Sequence, residues 1–140
     1  MIYMELSRHE QRYKAMTILY QIKLYETNNI DYDIDNIIDS QTEVKSKFIT
    51  TLVHGVMENI KEIDECANKY LDNWTIDRLG LTDQAILRIA IYELLYTDVP
   101  SLVSIDEAIE LAKKYSDDSV CKMINGVLDK VYHSRVDNEQ

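Results

Sequence analysis

Residues 82–96, TDQAILRIAIYELLY, decide how the rest of the chain is arranged. Thr82 can cap a helix N-terminus, and Asp83 follows where the helix dipole favours negative charge. Ten of the next thirteen positions are apolar or aromatic; only Gln84, Arg88 and Glu93 interrupt them. A helix apolar on nearly every side has to be covered on nearly every side. It is too short and too interrupted for a bilayer span, which takes about 20 apolar residues. The stretch therefore predicts a central helix wrapped by others.

Outward from that helix, the chain reads as all-α. Its 140 residues are the length of a single domain, 1–140. Three glycines and one proline leave little material for a turn-rich β fold. Towards the N-terminus, a first helix is expected over about Leu6 to Tyr25, with Met16, Leu19, Tyr20 and Ile22 on its apolar side. A short helix carrying Ile34, Ile37 and Ile38 is expected next. Residues 44–71 repeat apolar positions at spacings of three and four, from Phe48 to Ile63. Polar Asn59 and Lys61 predict a break near them, and Gly55 predicts close approach of another helix. Thr75 to Leu79 reads as a single helical turn, and Trp74 beside it as a packing anchor between layers.

Towards the C-terminus, Ser104 and Glu107 have the spacing of a capping box that would start a helix. Ile105, Ala108, Ile109 and Ala112 form its stripe, and Lys113 and Lys114 lie in its last turn. Residues 116–119, SDDS, form a loop and cap. Val120, Ile124, Val127, Leu128 and Val131 mark the last helix, in which Gly126 again suggests close packing. The sum is about seven helices around a buried central one.

The net charge of −10 argues against a strong nonspecific nucleic-acid binder. The charge is uneven, however. Residues 1–25 carry a net +2, whereas residues 26–43 hold six acids and no base. Arg8 and Arg12 are four apart and share a helix face, with His9 and Tyr13 beside them. One reading is an ordinary solvated face; the sharper one is an edge that contacts phosphates. Asp31, Asp33 and Asp35 alternate as in a calcium loop, but the required glycine and closing glutamate are missing.

Chemistry is hard to find. The chain has no phosphate-binding glycine loop, no GxSxG, no HExxH and no CxxC. His9, His54 and His133 lack metal-ligand spacing. Cys66 and Cys121 lie too far apart for a paired motif and do not suggest a disulfide framework. No cofactor, metal or catalytic set is expected. Without a signal peptide or hydrophobic span, a cytoplasmic binding or assembly module is the expectation.

Four segments carry a family resemblance. They are SRHEQRYKAMTILYQ (7–21), the block ending ILRIAIYEL (86–94), VSIDEAIELAKKYS (103–116) and INGVLDK (124–130). In order and spacing the chain resembles the bacterial transcription antitermination protein NusB family across nearly its full length. The resemblance implies two packed three-helix groups around the central helix. It implies pairing with NusE, which is also a small-subunit ribosomal protein. It further implies binding of boxA RNA, and read-through by the RNA polymerase antitermination complex in ribosomal RNA operons. On the family's pattern, Arg8, His9 and Arg12 fall on one RNA-contacting segment and Ser119, Lys122 and Met123 on a second. Tyr20, Asp83 and Glu93 fall on or near the NusE side. Glu10 and Gln11 stand where the family is often basic, and Met123 where many relatives carry an aromatic. Two other readings stay open: a scaffold that binds protein but not RNA, and a free chain that self-associates as a homodimer.

Overall fold

The computed structural model describes residues 6–43 and 45–138, which hold seven α-helices and one 3-10 turn and no strand. Helix α1 runs from Arg8 to Thr27, α2 from Ile34 to Gln41, α3 from Lys47 to Glu58 and α4 from Ile60 to Tyr70. The 3-10 turn at Ile76–Arg78 leads into α5, Leu81–Tyr96. Helices α6, Ser101–Tyr115, and α7, Asp118–Asn138, complete the chain.

Short polar side chains set several of the helix starts. The Ser7 hydroxyl accepts the Glu10 N–H at 3.1 Å, Asp33 accepts that of Asn36 at 3.0 Å, and Ser46 accepts that of Ile49 at 3.1 Å. Each satisfies a donor that the first turn leaves without an intrahelical partner. The helix expected over 44–71 divides at Asn59, which ends α3 and begins α4.

Helix α5 is the hub. Every residue from Gln84 to Leu94 is buried. It packs against α1, α3, α4, α6 and α7. Helices α1, α2 and α3 pack on one another as one group; α7 joins α4 and α6 into a second. The all-round apolar sequence of α5 has its explanation here: each face meets a different neighbour.

Four local expectations are corrected. Gly80, not Thr82, occupies the position before α5, and its carbonyl accepts the Gln84 N–H at 3.0 Å. Thr82 thus sits inside the first turn, where it cannot cap. Helix α6 begins four residues earlier than the capping box predicts, with Pro100 and not Ser104 at the cap position. Pro100 presets the chain for the turn, and its carbonyl accepts the N–H groups of Val103 and Ser104. Ser104 is then buried with no hydrogen-bond partner for its hydroxyl. Trp74 is 52% exposed and does not anchor two layers. Gly126 faces open space: a Cβ added there meets no atom within 4 Å. Gly55 behaves as expected, because a Cβ there would lie 2.2 Å from the Tyr92 ring of α5.

Candidate nucleic-acid interface

The basic end of α1 is split by burial. Arg12, on the side of the helix that packs on α5, is 4% exposed. Its Nε donates to Oε1 of Glu93 and its Nη2 to Oε2, both at 2.8 Å. Glu93 is 1% exposed. Burial works against the Arg12 charge, but hydrogen bonding and attraction from Glu93, with Glu107 adding, hold its pKa above the usual value. This corrects two readings. Arg12 does not stand on a phosphate-contacting edge, and Glu93 does not face a protein partner. Each satisfies the other inside the protein, as a buried charge requires.

Arg8, one turn earlier, remains exposed. Its guanidinium lies 4.2 Å from the centre of the Phe48 ring, and its Nη1 donates to the Gln11 side chain at 3.4 Å. The loop before α3 closes over the same place. The Ser46 hydroxyl donates to Gln11 Oε1 at 2.5 Å. Leu6, Arg8, Gln11, Lys45, Ser46, Lys47 and Phe48 line an open groove of about 490 Å³. Lys45 and Lys47 are exposed, and neither has an ion pair among the described residues. Reasoning from sequence missed these two lysines. They follow the most acidic stretch of the chain, and only the return of the chain towards α1 brings them to Arg8.

The opposite flank of α1 carries a second, smaller groove of about 240 Å³ between α1 and α6. His9 Nδ1 lies 2.6 Å from Glu107 Oε2, which ties the two helices together. The rings of Tyr13 and Tyr115 meet edge to face, centroids 5.1 Å apart. The hydrogen bond and charge interaction with Tyr115 push the Tyr13 hydroxyl's pKa up. Lys14 and Lys114 line the same groove, which shares Leu6 with the first.

The second predicted segment opens α7. The Asp117 carboxylate accepts the Val120 N–H at 3.0 Å and the Ser119 hydroxyl at 2.8 Å. The backbone bond from Val120, followed by that hydroxyl, holds the Asp117 pKa below the usual carboxylate range. Ser119 and Lys122 are exposed, whereas Met123 is half-buried against the core. Among the described residues no hydrogen bond or ion pair ties Ser119, Lys122 or Met123 to Arg8 or His9. Of the residues assigned to the protein partner, Tyr20 is 40% exposed on α1. Asp83 is half-buried and accepts the Ser116 hydroxyl, which fastens the start of α5 to the loop between α6 and α7.

Among the described residues there is no cluster of three potential metal ligands, and no helix is long and apolar enough to cross a membrane. The free cations beside aromatic rings suit recognition of a polyanion with exposed bases.

Comparison with known proteins agrees with the fold. A protein from Campylobacter jejuni subsp. jejuni described as transcription antitermination protein NusB is 40% identical over 131 residues, covering 92% of this chain and 98% of that one. The solved structure of T. maritima NusB matches with a TM-score of 0.79 at 34% identity, covering 93% of each chain. A structure described as antitermination factors NusB and NusE in complex with dsRNA matches with a TM-score of 0.76 at 26% identity, covering 92% of this chain and 99% of that one. The model of the NusB family matches residues 9–133, so the chain belongs to the NusB family.

Proposed function

We propose that the chain is a transcription antitermination factor that pairs with NusE and binds boxA RNA of nascent transcripts, promoting read-through in ribosomal RNA operons. It acts as one domain, residues 1–140, in the cytoplasm, within the RNA polymerase antitermination complex. It works by binding and not by catalysis.

One observation carries the RNA half of this reading. Arg8, Lys45 and Lys47 converge on one open groove in a chain whose net charge is −10. Unpaired cations concentrated against the overall charge suit phosphates, and their contacts weaken with salt. His9 lines the second groove, on the other flank of α1, and Ser119, Lys122 and Met123 offer a further contact on α7. Tyr20 and Asp83 serve NusE: one presents an exposed ring, the other a carboxylate at a helix start that suits a basic partner.

The acidic charge, together with withdrawal of Arg12 into the core, favours one alternative, a protein-only scaffold. Fluorescence anisotropy with a boxA-type RNA and a scrambled control, at several salt concentrations, separates the two. The expected result is selective binding by the mixture with NusE that exceeds either protein alone. Replacing Arg8, Lys45 and Lys47 by alanine should lower the slope of log affinity against log salt by about 2, at about 0.7 per single-strand phosphate contact. A stable protein complex with no gain in RNA binding would leave only the scaffold.

A further inference from the structure

The smaller groove between α1 and α6 has a different character from the larger one. Its walls are aromatic and apolar: Tyr13, Tyr115, Leu6 and Leu111. Its cations, Lys14 and Lys114, form no ion pair among the described residues. Lys114 lies 5.5 Å from the centre of the Tyr115 ring. The lining holds the two lysines against one acid, Glu10, so its balance of charge is positive. Glu107, just outside the lining, is held by His9.

We infer that this groove takes one unstacked base of a single-stranded RNA whose backbone runs through the Arg8–Lys45–Lys47 groove. The inference rests on the RNA reading above and adds to it a place for a base. Three observations support it. The two grooves adjoin at Leu6, so one strand can pass from one to the other. A volume of about 240 Å³ is several times the roughly 30 Å³ of a water molecule, enough for a flat ring. Tyr115 is 38% exposed at the rim, where it can offer ring surface to an incoming base, while Tyr13 meets it at an interplanar angle of 67° and fixes its orientation. Stacking tolerates any base, because each has a π face. The groove should thus demand a base without selecting strongly among them.

The test uses the full chain with NusE and boxA-type RNAs that carry 2-aminopurine at each position in turn. One position should be quenched on binding, and Tyr115→Leu should relieve that quench while Tyr115→Phe retains it. An abasic nucleotide at that position should weaken binding about tenfold, as should Tyr115→Leu, the scale of one lost base–aromatic stack. The salt slope should not change, because no phosphate contact is removed. A quench that survives Tyr115→Leu, or the absence of any quenched position, overturns the inference even where the salt-dependent RNA binding holds. Equal weakening of NusE binding by Tyr115→Leu in the absence of RNA also overturns it, and makes the groove a protein contact. If the wild-type mixture binds no RNA, both readings fall together.

Discussion

Arg8 and Arg12 lie one helical turn apart on α1, yet they belong to different parts of the protein. Arg8 lies over the Phe48 ring at the rim of an open groove, with Lys45 and Lys47 beside it. Arg12 is closed inside the molecule in a two-pronged pair with Glu93. The same side chain is thus exposed to solvent in one case and a structural clamp between α1 and α5 in the other. What separates them is burial. In water a guanidinium is free to meet an incoming phosphate; in the interior it must be matched by the protein itself.

The largest effect should come from breaking the clamp. Arg12→Ala or Glu93→Ala should each cost about 3–5 kcal/mol, because each strands the remaining charge in the core. Arg12→Met combined with Glu93→Leu should recover most of that loss, since no charge is then left unmatched. Urea denaturation of the four proteins measures this. A loss below about 1 kcal/mol for Arg12→Ala would place that residue with Arg8, among surface residues.

The two mid-helix glycines offer the same contrast between covered and open faces. Gly55→Ala would drive a methyl into the Tyr92 ring and should cost about 1–3 kcal/mol as the ring is displaced. Gly126→Ala meets nothing and should stabilise the chain by up to about 1 kcal/mol through helix propensity alone. Thermal or denaturant midpoints that moved in the same direction for both would contradict the packing described for α3 and α7.

On the open side, Arg8→Ala should change stability by no more than about 0.5–1 kcal/mol, the range of an exposed cation–π contact. It should nevertheless weaken RNA binding by the mixture with NusE. Separation of the two readouts is the signature of the groove, whereas Arg12→Ala should move stability first.

The smallest effect concerns the cap of α7. The folded-state pKa of Asp117 is depressed, so its contribution is present above the ordinary carboxylate range. It is lost as pH falls through the folded value. Asp117→Asn should flatten that part of the acid limb of a stability–pH curve and leave neutral-pH stability nearly unchanged, because asparagine also caps well. A steeper acid limb in the variant would contradict the depressed pKa.

Much of this architecture was legible in the sequence, and the reason is that helices are local. The bonds of a helix span four residues, and its buried face repeats every three or four, so α1, α2, α3 and α7 are visible as stripes. The continuous apolar run of α5 likewise announces a helix covered on all sides. The division near Asn59 and the close contact at Gly55 are anticipated by residue type, but the same reading fails at Gly126, which faces open space. The resemblance of four ordered segments to the NusB family carries the functional reading.

Which charges face water was not legible, because tertiary contact decides it. Arg12 and Glu93 are 81 positions apart, and nothing local marks them as partners. Lys45 and Lys47 follow an acidic stretch, and they become part of a basic groove only when the loop before α3 returns to the start of α1. Ser104 has the spacing of a cap, yet Pro100 starts the helix earlier and leaves its hydroxyl inside. Sequence by itself determined the helices and the hub they surround, since those depend on hydrogen bonds and hydrophobic periods a few residues long. Tertiary structure alone decided which charges serve the core and which remain for a ligand, because the desolvation that sorts them exists only once distant helices have packed.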